Sequence, residues 1–258
     1  MRAKTSFSCQ ACGYQAPRWL GRCPDCGGWN TMKEERQAAT GKGRPAAMKT
    51  AQANATPIAE IEVVGEDRRL TRIGEFDRVL GGGVIPGSVI LIGGDPGIGK
   101  TTLLLQALPR LASKEEPALY VSGEESPRQM KMRGQRLGIE HPNLLILAET
   151  SLEQILKAAQ EIQPAAIVVD SIQTVYTEQI TSAPGSISQV QEVAGQLMWF
   201  AKRTGVPVFI IGHVTKEGAI AGPRLLEHIS KVIKATATGF FAPSRIALAQ
   251  PTRSVCLR

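Results

Sequence analysis

Residues 93 to 102 read Gly-Gly-Asp-Pro-Gly-Ile-Gly-Lys-Thr-Thr, set between the apolar run Val89-Ile-Leu-Ile92 and a leucine-rich stretch. A glycine-rich turn joining a buried strand to a helix start constrains this chain more than any other feature. Glycines release the backbone so that successive N–H groups converge on one centre, and the helix N-terminus adds unsatisfied amides aimed the same way. Gly94, Gly99, Lys100 and Thr101 fill the spacing G-x-x-x-x-G-K-[ST]. That chemistry suits a triphosphate. The expected cradle is Gly94, Asp95, Pro96, Gly97, Ile98, Gly99, Lys100, Thr101 and Thr102, with Lys100 reaching the β- and γ-phosphates and the Thr101 hydroxyl on Mg²⁺. ATP and Mg²⁺ are the expected ligands.

The rest of the chain supplies a setting for such a turn. A short amphipathic helix within 72–83, stopped by glycines, precedes strand 89–92; then helix 100–112, strand 118–122, helix 126–137, strand 144–147, helix 151–162 and strand 166–169 alternate. A long loop, 174–187, precedes helix 188–204 and strand 208–211. Strands that are continuous Val/Ile/Leu runs, alternating with helices, predict an α/β fold whose mostly parallel sheet is covered on both faces. Aromatic residues are only 5% of the chain, so aliphatic side chains must pack that core.

Ligands in open α/β sheets gather at the C-terminal strand ends. Asp170 ends one strand, where its carboxylate can hold the Mg²⁺ shell through water. Glu124 and Glu125 end another, where one can polarise the attacking water. His213 and Lys216 follow a third, where a polar group can sense the γ-phosphate. The expected catalytic set is Lys100, Glu124, Asp170 and His213, with Glu125 the rival of Glu124.

Cys9-x-x-Cys12 and Cys23-x-x-Cys26 form two knuckles ten residues apart. Two such turns can complete a tetrahedral Cys₄ shell with no open position, so a structural Zn²⁺ site is expected at Cys9, Cys12, Cys23 and Cys26, rather than disulfides. Trp29 and the stretch Pro17-Arg-Trp-Leu-Gly-Arg22 either cover the metal or, through Arg18 and Arg22, face DNA. The net charge of +7 divides into +6 over 1–58, −4 over 59–228 and +5 over 229–258, so the basic surface belongs to the two ends. A basic head suits a phosphate backbone, and equally a solvated linker. From 34 to 57 the sequence is rich in Ala, Gly, Lys, Thr and Gln without apolar period, the signature of a flexible linker. No run approaches a membrane span and the first residues do not read as a secretory leader, so a cytoplasmic protein without membrane partners is expected.

Together these residues resemble the RadA (Sms) family of bacterial recombination and repair proteins, relatives of the RecA-like ATPases. The resemblance rests on the four-cysteine head with Trp19-Leu-Gly-Arg-Cys23, the phosphate cradle, Tyr120-Val-Ser-Gly-Glu-Glu-Ser126, Asp170-Ser-Ile-Gln-Thr-Val-Tyr176, Ser182-Ala-Pro-Gly-Ser186, and Gly212-His-Val-Thr-Lys-Glu-Gly218 through Glu227-His228. It implies a RecA-like P-loop core behind a Cys₄ zinc module, and a DNA-dependent ATPase that forms a homo-oligomeric ring on single-stranded DNA. It further implies action on branched recombination intermediates by branch migration, beside a recombinase filament. Glu124 then matches the water-activating glutamate and His213 the switch residue. Loops 176–188 and 214–224 face DNA, with Lys216 and Arg224 as candidate phosphate contacts. Two other classes stay open: a zinc-containing DNA-binding module with a vestigial nucleotide site, and a P-loop kinase or signalling ATPase that does not touch DNA.

The resemblance divides the chain into 1–33 (zinc module), 34–57 (linker), 58–228 (ATPase core) and 229–258, an aberrant basic tail. The family continues past the position of His228 with further core strands, a Lys-Asn-Arg-Phe-Gly segment and a Lon-like domain, none of which is readable here. Back-translating 248–258 with one added base and shifting the frame gives Phe-Gly-Ser-Thr-Asn-Glu-Ile-Gly-Val-Phe-Glu, which looks like the family's sequence from that segment onward. The chain therefore reads as C-terminally truncated by a frameshift between about residues 229 and 235. On this reading, Cys256 and the late basic residues are accidents, 229–258 is expected to be poorly ordered with an apolar sheet edge left open, and nucleotide binding is expected to survive while efficient hydrolysis is impaired.

Overall fold

The computed structural model describes residues 5–9, 13–36, 57–60, 68–213, 231–236 and 239–241. Strands β1 (Thr5–Cys9), β2 (Gln15–Ala16) and β3 (Met32–Arg36) form a small antiparallel sheet in the order β2-β1-β3. β3 runs to Arg36, so this module extends into the stretch expected as linker; residues 37–56 lie outside the described residues.

The larger unit opens with α1 (Gly74–Leu80), stopped at Gly81, whose φ of 82° closes the helix in the left-handed conformation that glycine adopts without strain. Then come β4 (Val89–Gly94), α2 (Lys100–Leu111), β5 (Ala118–Ser122), α3 (Pro127–Arg136), β6 (Leu144–Ala148), α4 (Leu152–Ile162), β7 (Ala166–Asp170), α5 (Ile187–Thr204) and β8 (Val208–His213). Two further strands follow, β9 (Lys231–Thr236) and β10 (Gly239–Phe241). The sheet order is β10-β9-β4-β8-β7-β5-β6, parallel throughout except for β10.

Strand parity builds two cores. Val89, Leu91, Leu119, Val121, Ile167, Val169, Val208 and Ile210 point to one face, where α4 and α5 cover them. Ile90, Ile92, Ala118, Tyr120, Ala166, Val168, Phe209 and Ile211 point to the other, under α1, α2 and α3. The inner strands β4, β5 and β7 are buried along their whole length and are runs of apolar residues up to their C-terminal ends, as expected of a doubly covered sheet.

The expectation that 229–258 leaves an apolar sheet edge open is corrected at β9 and β10. β9 pairs in parallel with β4, Leu91 opposite Val232 and Ile92 opposite Ile233, and Ile233 is buried. The reason is physical. β4 is buried along its whole length, and without β9 its backbone donors and acceptors on that side would have no strand to pair with. The core therefore runs past 228 to at least Phe241; residues 242–258, including Cys256, lie outside the described residues.

Candidate active site

The strand order sets the geometry. β8 separates β4 from β7, so the cradle after β4 and the carboxylate ending β7 face each other across one intervening strand. Gly97 and Gly99 take φ of 80° and 101°, and a Cβ at either would meet nothing within 4 Å. These two glycines are thus required for backbone conformation and not for space. Gly99 caps α2 without a side-chain partner, so the first amides of that helix open onto the cradle.

Lys100 is buried, and its Nζ donates to the carbonyls of Gly94 at 2.7 Å and Asp95 at 2.9 Å. Burial pulls its ammonium below the ordinary lysine value, against the opposing attraction of Asp170, Asp95 and Glu124. A lysine held this way gains from an incoming anion.

Thr101 follows, and its hydroxyl donates to Oδ2 of Asp170 at 2.8 Å. The two residues expected on Mg²⁺ thus come together from α2 and β7, 69 positions apart in sequence. A hydroxyl and a carboxylate are the hard oxygen donors Mg²⁺ takes alongside phosphate oxygens, so this pair fits the ion. Sequence reasoning missed one member of the group. Tyr120, wholly buried on β5, donates its phenol to the same Oδ2 at 2.6 Å. Burial first, then the Asp170 charge, raises the phenol well above its ordinary value, so it remains a donor.

The two glutamates after β5 part company. Glu124 accepts from the Ser171 hydroxyl at 2.5 Å, beside the end of β7, and its charge is felt by Lys100. Glu125 turns to α3 and pairs with Arg133, whose Nε lies 3.3 Å from Oε2, while its backbone amide is held by Ser122 Oγ at 3.0 Å. Of the rivals, Glu124 is the one whose charge acts on Lys100 of the cradle, while that of Glu125 acts on Tyr120. Thr102, the last cradle residue, lies in the first turn of α2.

His213 ends β8 in register with Gly94 of β4. Its backbone therefore stands at the cradle's edge. Lys216 and Arg224, with the loop 214–224, lie outside the described residues. The loop after β7 is built firmly: the buried Gln189 side chain accepts from Thr177 N at 2.9 Å and donates to the carbonyls of Thr177, Ile180 and Ser182 at 3.1, 3.3 and 2.9 Å. Glu153 of α4 holds the same loop by accepting from the Thr177 hydroxyl at 2.6 Å.

In the small module, the sulfurs of Cys9, Cys23 and Cys26 all lie within 4.8 Å of one another, Cys9 and Cys26 at 3.6 Å. Thiolates about 2.3 Å from a tetrahedral zinc stand about 3.8 Å apart, so the cluster fits the ion. The knuckles close through Gly13 N to Cys9 O at 2.8 Å and Gly27 N to Cys23 O at 2.9 Å. Cys12 lies outside the described residues. Trp29 does not cover the metal site: it is 71% exposed, with the Arg22 guanidinium 5.8 Å from its ring centroid and Arg22 Nε donating to Gly27 O. Trp19 is exposed as well.

Family models match segments in both units of the chain. Residues 55–219 match the family described as the AAA domain, and residues 7–34 the one described as the rubredoxin metal binding domain. Proteins named DNA repair protein RadA are similar to this chain. The one from Bacillus subtilis (strain 168) is 56% identical over 88% of this chain and 50% of its own length. The one from Pseudomonas aeruginosa (strain PAO1) is 51% identical over 88% and 50%. The one from Listeria monocytogenes (strain EGD-e) is 51% identical over 87% and 49%. The chain spans about half the length of the curated relatives it matches. No helix among the described residues is long and apolar enough to cross a membrane. With a phosphate cradle, a facing hydroxyl–carboxylate pair and a cysteine ribbon in one chain, this protein belongs to the AAA domain family, as a RecA-like P-loop core behind a zinc ribbon.

Proposed function

We propose that this chain hydrolyses ATP in response to single-stranded DNA and acts on branched recombination intermediates during DNA repair. The observation carrying the nucleotide half is the convergence of Lys100, Thr101, Asp170 and Glu124 from α2, β7 and the turn after β5. The DNA half is supported by the relatives' names.

On this reading the Lys100 ammonium exchanges the Gly94 and Asp95 carbonyls for the β- and γ-phosphate oxygens, and the α2 amides hold the phosphates behind it. Mg²⁺, when bound, neutralises charge on the β- and γ-oxygens. Thr101 and Asp170 would hold it. Glu124, fixed by the Ser171 hydroxyl, accepts the proton of the attacking water. His213, at the end of the strand beside β4, senses the γ-phosphate, and the loop 176–188 and residues Lys216 and Arg224 contact the DNA backbone. A ring of identical chains would let a neighbour's cation complete the transition-state charge.

The test is the ATPase rate of the purified chain with and without single-stranded DNA, together with nucleotide affinity. A DNA-stimulated rate is expected, and Lys100→Ala should weaken nucleotide binding about 10- to 100-fold, the loss of charge-assisted hydrogen bonds. A folded chain that binds no adenine nucleotide in the presence of Mg²⁺ overturns the reading.

A further inference from the structure

We propose that Tyr120 is a positioning residue of the nucleotide site, its phenol setting the Asp170 carboxylate in the orientation that receives Mg²⁺; this rests on the function proposed above. Three observations carry it. First, strand parity places it. Ser122 of β5 is in register with Asp170 of β7, and Tyr120, two residues earlier, points to the same face, toward α2. A tyrosine ring spans the two-residue offset along the strand, and the hydroxyl arrives 2.6 Å from Oδ2. A phenylalanine at the same position would fill the core equally and stop short of the carboxylate.

Second, the ring is fully buried in the core on the α2 face of the sheet, on a strand flanked by β6 and β7. A phenol in such a place loses its hydration, and here its partner is a buried carboxylate at the mouth of the cradle. Third, the same oxygen also accepts the Thr101 hydroxyl at 2.8 Å. Donors from two separate elements, β5 and α2, therefore converge on one atom. Thr101 is itself expected on the metal, and its proton must reorient when its lone pair is taken. Tyr120 is set back from the cradle by its strand and keeps its bond. It is thus the donor that holds Asp170 in the same pose before and after loading, which is how outer groups tune a metal ligand.

The experiment is nucleotide binding by the full chain, read by a fluorescent ATP analogue, titrated with Mg²⁺ and repeated in EDTA. For Tyr120→Phe, the Mg²⁺ concentration at half-maximal binding should rise about tenfold, while affinity in EDTA stays within about twofold of the parent chain. A merely structural role would lower the melting temperature and weaken binding in both conditions alike. Replacing Tyr120 site-specifically by 4-aminophenylalanine, whose neutral N–H₂ restores a donor at that point, should bring the Mg²⁺ midpoint back toward the parent value. An unchanged midpoint in Tyr120→Phe, or equal losses with and without Mg²⁺, or no recovery with 4-aminophenylalanine, overturns the proposal while leaving the nucleotide reading intact. Absence of nucleotide binding by the parent chain overturns both.

Discussion

At the scale of single residues, the site is decided by which side chains share an atom or a field, and the pair after β5 shows how fine that decision is. Glu124 and Glu125 are adjacent and chemically identical, yet Ser171 holds one beside Lys100 while Arg133 draws the other to α3. On the function proposed, Glu124→Gln is expected to cut turnover about 100-fold or more with nucleotide affinity nearly unchanged, since it would remove the general base and no phosphate contact. Glu125→Gln should leave turnover within about twofold. It removes a partly exposed ion pair, which contributes about 0–1 kcal/mol, so a shift in urea midpoint near the detection limit is expected. Steady-state rates of the two variants side by side check the assignment, and a larger loss in Glu125→Gln would reverse it.

At the scale of elements, the segment between β7 and α5 and the strand β9 show how pieces without strong periodicity are held. Helix α5 begins at Ile187, one residue from the expected start, because the Ser186 hydroxyl caps the Gln189 amide. The Gln189 side chain then reaches back to bind both ends of the preceding turn. Gln189→Leu, close in volume, would strand the Thr177 amide and its neighbouring carbonyls, at about 1–3 kcal/mol for each buried group left unsatisfied. The expected result is a melting temperature lower by about 5–10 °C and limited proteolysis within 177–186, with nucleotide affinity little changed. β9 makes the complementary case. Ending the chain after 228 would leave β4 paired with β8 alone, its other edge open along Ile90 to Gly93, and expose part of the core that Ile233 closes. Gel filtration is expected to show aggregation of that shortened chain. A monodisperse product would show that β4 tolerates an open edge.

At the scale of the whole molecule, two kinds of core coexist. The larger unit buries aliphatic residues on both faces of its sheet, whereas the ribbon's interior is Cys9, Ala16, Cys23 and Met32 with Phe7 and Leu20 packed against them. So few apolar groups cannot offset the entropy of ordering the ribbon, and metal binding must supply the difference. Cys23→Ser is expected to release the zinc, measured with a chromogenic chelator, while nucleotide affinity of the core changes less than about twofold. What was legible in the sequence was whatever is encoded locally. The turn 93–102, the strand and helix alternation and the cysteine spacing were readable because each depends on neighbours within a few positions. The element ends found by periodicity, such as Ala118–Ser122 and Lys100–Leu111, agree with the structure to within a residue or two. The part played by Tyr120 was not readable, and Glu124 was preferred to Glu125 without the contacts that separate them, because both depend on β5 lying beside β7 and on Asp170 facing α2. β9 was hidden too: its six residues carry two lysines and two threonine or alanine positions, a pattern too weak to read alone. The fully apolar β4 beside it recruits that segment into the sheet, since a buried strand's unpaired amides and carbonyls cost more than a mediocre partner does.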